Sequence, residues 1–144
     1  MLHAKDKLLI VDDELSIRES LSFVLTGIGY SVRAAENGIS ALAEMGMEIP
    51  DMIISDLNMP GMSGFEFLSA VRSQFPTIPL IAMSGAFYGD EVPSGVAADA
   101  FYQKGDGVRS LLKIMESLTP PKRMPARQLP LSAPLSIQQN SRAG

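Results

Sequence analysis

The chain contains no cysteine, which excludes disulfides and thiolate metal sites and fits a protein kept in a reducing compartment. It also lacks any apolar run long enough to cross a bilayer, so a membrane span is not expected. No signal-peptide core forms before Asp12, Asp13 and Glu14 interrupt the N-terminus, so export is not expected and a cytoplasmic location is. The single histidine, His3, lies beside the N-terminus and is assigned no role. There is no internal repeat. Residues 120–144 hold no acidic residue, whereas residues 1–119 carry all 16 acids and 8 of the 12 bases, a net −8. An acidic body argues against direct contact with nucleic acid.

What is present is ordinary for one globular domain of 144 residues, with 46% hydrophobic and 19% charged residues. Leu8–Val11, Met52–Ser55 and Leu80–Met83 are short apolar runs with little alternation, the pattern of strands covered on both faces. Ser31–Ala35 and Ala100–Gln103 are mixed, as near-edge strands are. Between these runs, Ile17, Leu21, Val24, Leu25 and Ile28 recur at helical spacing before a stop at Gly29. Ile39, Leu42 and Met45 follow the turn-and-cap pair Asn37-Gly38. Phe65, Leu68 and Val71 make a third stripe, and Val108, Leu111, Leu112, Met115 and Leu118 a fourth. Alternation on this scale predicts an α/β fold, a parallel sheet with helices on both faces. The interval Phe87–Ala98 contains Gly89, Pro93 and Gly95 where a helix is expected, so that helix should be short or irregular and begin near Pro93. Beyond it, five prolines, Ser, Gln and scattered bases predict a disordered, basic, Pro-rich extension over residues 119–144, after a domain covering 5–118.

Three strands end on polar residues: Asp12 and Asp13 after the first, Ser55 and Asp56 after the third, Ser84 after the fourth. Each can serve a purely local purpose, since Asp12, Asp13 or Glu14 can cap a helix and Ser84 can open a turn. Brought to one sheet edge together, however, three carboxylates repel unless a cation sits among them. Hard oxygen ligands in small number suit Mg²⁺, which is usually shared with a phosphate. Lys104 follows the last strand and would reach the same edge as a positive point charge. An acidic cluster, a hydroxyl and a lysine describe a site for a phosphoryl group.

At this point "LLIVDDE", "IISDLNMPGMSGFEF", "LIAMSG" and "AFYQK" are decisive. In this order they resemble the receiver domains of two-component response regulators, and the D-x-x-M-P-x-M-x-G run beginning at Asp56 is the most specific part. The resemblance implies a flavodoxin-like five-stranded parallel sheet ordered 2-1-3-4-5. It implies that Asp56 is the phosphoacceptor, a carboxylate nucleophile needing no general base. Mg²⁺ would be held by Asp13 directly, Asp12 mainly through water, Asp56, and the backbone carbonyl of Asn58. Ser84 would hydrogen-bond the new phosphoryl group, Lys104 would pair with it, and Phe101 would be the aromatic switch, with Tyr102 on the opposite face. The implied donor is a histidine kinase or histidine phosphotransfer protein. The signal would pass to a downstream protein, or into a phosphorylation-dependent dimer, through the face built from the short helix, the fifth strand and the last helix. A stand-alone receiver, itself no enzyme beyond its own phosphorylation and dephosphorylation, is the leading expectation.

Gly105 departs from the family pattern, which has a cis-linked Pro after the lysine. A cis bond before Gly is unfavourable, so the loop holding Lys104 should take another shape. The spacing from Ser84 to Lys104 is also short for the family. These departures support a pseudo-receiver that binds a partner without phosphorylation as the alternative. A haloacid-dehalogenase-type phosphatase also places an aspartate after a buried strand, but it needs a second Asp two residues on. Here that residue is Asn58, which removes leaving-group protonation.

Overall fold

The computed structural model describes residues 6–85 and 95–118. Five strands form one parallel sheet: β1 (Lys7–Val11), β2 (Ser31–Ala35), β3 (Met52–Asp56), β4 (Leu80–Ser84) and β5 (Ala100–Gln103), in the order β2-β1-β3-β4-β5. The expected flavodoxin-like order is therefore present. β3 and β4 are buried along their whole length and β1 along all but Lys7, whereas the edge strands β2 and β5 are mixed. That is why the three central strands read as unbroken apolar runs: helices cover both of their faces.

Alternate strand residues serve opposite faces. Leu9, Val11, Ile53, Leu80 and Ala82 pack with α2 (Gly38–Met47) and α3 (Gly64–Gln74) through Ala41, Met45, Phe67, Leu68 and Val71. Leu8, Ile10, Ile54, Ile81 and Met83 pack with α1 (Leu15–Ile28) and α4 (Val108–Leu118) through Leu21, Leu25, Leu111 and Met115. Four helices occur among the described residues. The short helix expected across 87–98 falls mostly on residues 86–94, outside the described residues, and the described residues 95–99 form no helix. The expected extension 119–144 also lies outside them.

Helix ends carry the chemistry that their sequence announces. Asn37 caps α2 and Ser63 caps α3, each in a reciprocal capping box, with Ser40 and Glu66 respectively. α1 stops at Gly29, whose N–H bonds back to Leu25 O and Thr26 O. No described helix is long and apolar enough to cross a membrane.

This topology has one consequence for chemistry. The chain leaves β1 for β2 on one side and returns to β3 on the other, so the switch point lies between β1 and β3, where open α/β sheets bind ligands. The register then aligns the strand ends. Val11 pairs with Ser55, Asp56 with Met83, and Ser84 with Gln103. Asp12, Asp56, Ser84 and Lys104 thus emerge side by side from four adjacent strands.

Candidate phosphoryl-acceptor site

Asp56 ends β3 with only 2% of its surface exposed. Its Oδ1 accepts from the Asn58 N–H at 3.3 Å, and its Oδ2 lies 3.4 Å from Lys104 Nζ. Burial pushes its carboxyl up to about 6. The Asn58 N–H opposes that rise, Asp12 adds to it, and Lys104 offsets part of it. The group is thus held at the switch point with little solvent to stabilise its charge.

The backbone around Asp56 is kept close to α3 by Gly64. A side chain there would run into the Asp56 carbonyl oxygen and the Leu57 backbone, so only glycine lets the helix start this near the strand end. The Gly64 N–H reaches Leu57 O at 3.2 Å, which ties the turn to the helix start.

Asp12 is fully buried just past β1, while Asp13 beside it is exposed. One carboxylate oxygen from each of Asp12, Asp13 and Asp56 lies within 4.8 Å of the others, the convergence that a small divalent cation requires. Asp12 Oδ1 accepts from the Glu14 N–H at 2.8 Å. Asp12 Oδ2 is wholly buried and lies 2.9 Å from Lys104 Nζ, in ion-pair contact but without hydrogen-bond alignment. A buried carboxylate oxygen so incompletely satisfied, beside two more carboxylates, fits an oxygen-seeking cation.

Lys104 Nζ sits among three carboxylates: Asp12 and Glu14 at 2.9 Å each and Asp56 at 3.4 Å. Burial by itself would lower its pKa, but Asp12, Glu14 and Asp56 together raise it, so the ammonium stays charged. Ser84 is fully buried, and its Oγ accepts from Asn58 Nδ2 at 3.0 Å. Phe101 is half-buried against the core on the α2 and α3 side, and Tyr102 belongs to the core on the other face. All described peptide bonds are trans, and Gly105 has φ +98°, a value that proline cannot adopt. The loop after Lys104 therefore has its own shape, as Gly105 in the sequence led one to expect.

Asp12, Asp13, Asp56, Asn58, Ser84 and Lys104 lie at this edge, whereas Phe101 stands opposite Ala82 on β5, two residues short of it. Three partners were not foreseen. Glu14 pairs with Lys104, the Asn58 side chain holds Ser84, and Arg18 Nη1 donates to Asp12 O at 2.7 Å. Glu14 stands third in an acidic run, but its partner is 90 residues away. No local signal joins the two.

A family profile of the response regulator receiver domain matches residues 8–103. Over 96 residues the chain is 36% identical to the DNA-binding transcriptional regulator NtrC of Salmonella typhimurium; the match spans 67% of this chain and 19% of that protein. The chain therefore matches about a fifth of the length of its NtrC relatives. Among solved structures it is similar to the chemotaxis response regulator CheY4 of Vibrio cholerae, at 37% identity and TM-score 0.72, covering 79% of this chain and 98% of that one. It is also similar to the response regulator TrrA of Thermotoga maritima in complex with Mg²⁺-BeF, at 32% identity and TM-score 0.72, covering 79% and 99%. TrrA has also been solved in complex with the histidine kinase ThkA, where the likeness is 31% identity and TM-score 0.72, covering 80% and 99%. With five parallel strands in the family order and a matching profile over two thirds of its length, the chain belongs to the response regulator receiver domain family.

Proposed function

We propose that the protein is a phosphorylation-controlled receiver in which Asp56 accepts a phosphoryl group from a phosphohistidine on a histidine kinase or phosphotransfer protein. The observation that carries this reading is the placement of Asp56: a buried carboxylate within reach of Asp12, Asp13 and the Lys104 ammonium at once. An Asp56 carboxylate oxygen attacks phosphorus, a new O–P bond forms as the N–P bond breaks, and the electron pair returns to the donor imidazole. The ionised carboxylate is already the nucleophile, so no base is required. Asp12, Asp13, Asp56 and the Asn58 carbonyl would hold Mg²⁺, which when bound offsets charge on the phosphoryl oxygens. Lys104 would pair with one of those oxygens and orient the group for in-line transfer.

Ser84 gives the site an output. To bond the phosphoryl group, its hydroxyl would donate to a phosphoryl oxygen and shift from its resting contact with Asn58 Nδ2, and Phe101 would follow as the sheet edge repacks. The change would reach a downstream protein, or a second receiver, through β5 and α4. In this reading residues 5–118 are the receiver, residues 119–144 a basic tail, and the location is cytoplasmic. TrrA, solved with Mg²⁺-BeF and with a histidine kinase, lends support from a similar protein.

Incubation with acetyl phosphate and Mg²⁺ tests the proposal. Wild type should gain one base-labile phosphoryl group on a phosphate-affinity gel, and Asp56→Asn should gain none. Equal uptake by the two proteins would refute it. The Gly105 and Gly107 loop keeps a second reading in play, a pseudo-receiver that needs no phosphorylation. Partner binding unaffected by phosphoryl loading would favour that one.

A further inference from the structure

Glu14 occupies the N-cap position of α1 yet makes no side-chain cap hydrogen bond. Aspartate, whose shorter side chain can accept from its own helix, is the acidic residue suited to capping there, and glutamate is not. Here Glu14 Oε1 instead accepts from Lys104 Nζ at 2.9 Å, bridging the start of α1 to the end of β5. The surroundings of the lysine give that bridge its importance. Lys104 is anchored at its backbone, where its N–H bonds Ser84 O at 2.9 Å. Its side chain, however, is a flexible four-carbon stem that the backbone anchor alone does not direct. Gly105 and Gly107 have φ +98° and +89°, and nothing lies within 4 Å of where a Cβ would stand at either. Three carboxylates direct the ammonium. Two of them, Asp12 and Asp56, belong to the trio arranged for a cation, and Glu14 does not.

A divalent cation attracts the first two carboxylates and competes with the ammonium for their oxygens. Glu14 alone keeps its whole charge for the lysine. We infer that Glu14 is a positioning residue that holds the Lys104 ammonium over Asp56 while Asp12 and Asp56 are engaged with the cation. The lysine is then in place before the phosphoryl group arrives, a preorganisation that its flexible side-chain stem does not supply by itself. This inference rests on the phosphoryl-acceptor reading of the site.

Two variants separate this role from capping and from bulk charge. Glu14→Asp keeps the charge and is the better helix cap, but it is one methylene too short to reach Lys104. Glu14→Gln keeps the reach and an acceptor oxygen but loses the charge. The first readout is the side-chain ammonium signal of Lys104 in ¹⁵N NMR of the Mg²⁺-loaded protein, assigned by its loss in Lys104→Arg. The second is the initial rate of phosphoryl uptake from acetyl phosphate at saturating Mg²⁺. Glu14→Asp should broaden the ammonium signal by water exchange and slow uptake about two- to fivefold, the range for a partly exposed ion pair. Glu14→Gln should fall between it and wild type. An unchanged ammonium signal in Glu14→Asp, or uptake at or above the wild-type rate, overturns the inference. Faster uptake would mean that Glu14 withholds the lysine. Should wild type itself take up no phosphoryl group, the acceptor reading fails, and the ammonium comparison alone still decides whether Glu14 holds Lys104.

Discussion

Asp56 is ionised in a place that disfavours ionisation. Its folded pKa of about 6 stands above the ordinary 3.8, chiefly because burial strips water from the carboxylate. A raised carboxyl pKa means that the folded state prefers the protonated form. The resulting stability is complete below the ordinary value and is lost as pH rises through the folded one. Asp56→Asn should therefore be more stable than wild type in metal-free buffer at neutral pH, by on the order of 2 kcal/mol. Thermal melts at stepped pH check this: the gap should close as pH falls from about 7 to about 4, and a gap that widens on acidification contradicts the assignment. Asn58 makes a second prediction at this scale. Its Nδ2 is the donor to Ser84 Oγ, so Asn58→Ala removes a contact that fixes the resting position of that hydroxyl. The Ser84 resonances should shift in the unphosphorylated variant, while Asp56 keeps its capacity to take up phosphate. An unshifted Ser84 would show that the bond has no hold on it.

Among the elements, the turn from β3 into α3 fixes the geometry of Asp56. Gly64 allows the helix to begin against the backbone of Asp56 and Leu57, and Ser63 with Glu66 closes the cap. Ser63→Ala should cost about 1 kcal/mol, the ordinary value of an N-cap. Gly64→Ala should cost about 1–3 kcal/mol, since the added methyl forces backbone apart rather than displacing a flexible side chain. It should also slow phosphoryl uptake, which Ser63→Ala should not. Urea titrations give the first quantity and acetyl phosphate kinetics the second. A Gly64→Ala protein with wild-type stability would mean that α3 can back away from β3 at no cost. α1 shows a different arrangement, a helix start whose glutamate pairs with the lysine that follows β5.

For the molecule as a whole, the acidic edge is a source of self-repulsion that a bound cation would relieve. In the proposed reading Mg²⁺ would bind only the folded arrangement of Asp12, Asp13 and Asp56, because the residues are scattered over 45 positions of the unfolded chain. Saturating Mg²⁺ should therefore raise the melting temperature, by an amount corresponding to about 2.7 kcal/mol at a hundredfold excess over Kd. Chelation with EDTA should reverse the rise, and Asp13→Asn should lose most of it. An equal rise in Asp13→Asn would indicate general charge screening instead of a bound ion.

The five strands and four of the expected helices were legible along the chain; the helix expected over 87–98 was not among them, since the described residues 95–99 form none. Apolar runs such as Ile53–Ile54 and Ile81–Ala82 have no polar alternation because both faces of those strands are covered, and Asn37 and Ser63 announce their helices by local hydrogen bonding. The position of Asp56 was equally legible, because a carboxylate that ends a buried strand gives up hydration that only a charged partner or a ligand can return. Which charge meets which was settled by strand alignment and not by local preference. Val11 opposite Ser55 and Ser84 opposite Gln103 are matters of register, and register places Asp12 beside Asp56 and Lys104 beside Ser84. The Glu14–Lys104 pair and the Asn58–Ser84 bond join residues 90 and 26 positions apart. Local preference along a chain carries no information about such contacts. They arise only when strands align and side chains from separate loops share one small, poorly hydrated edge.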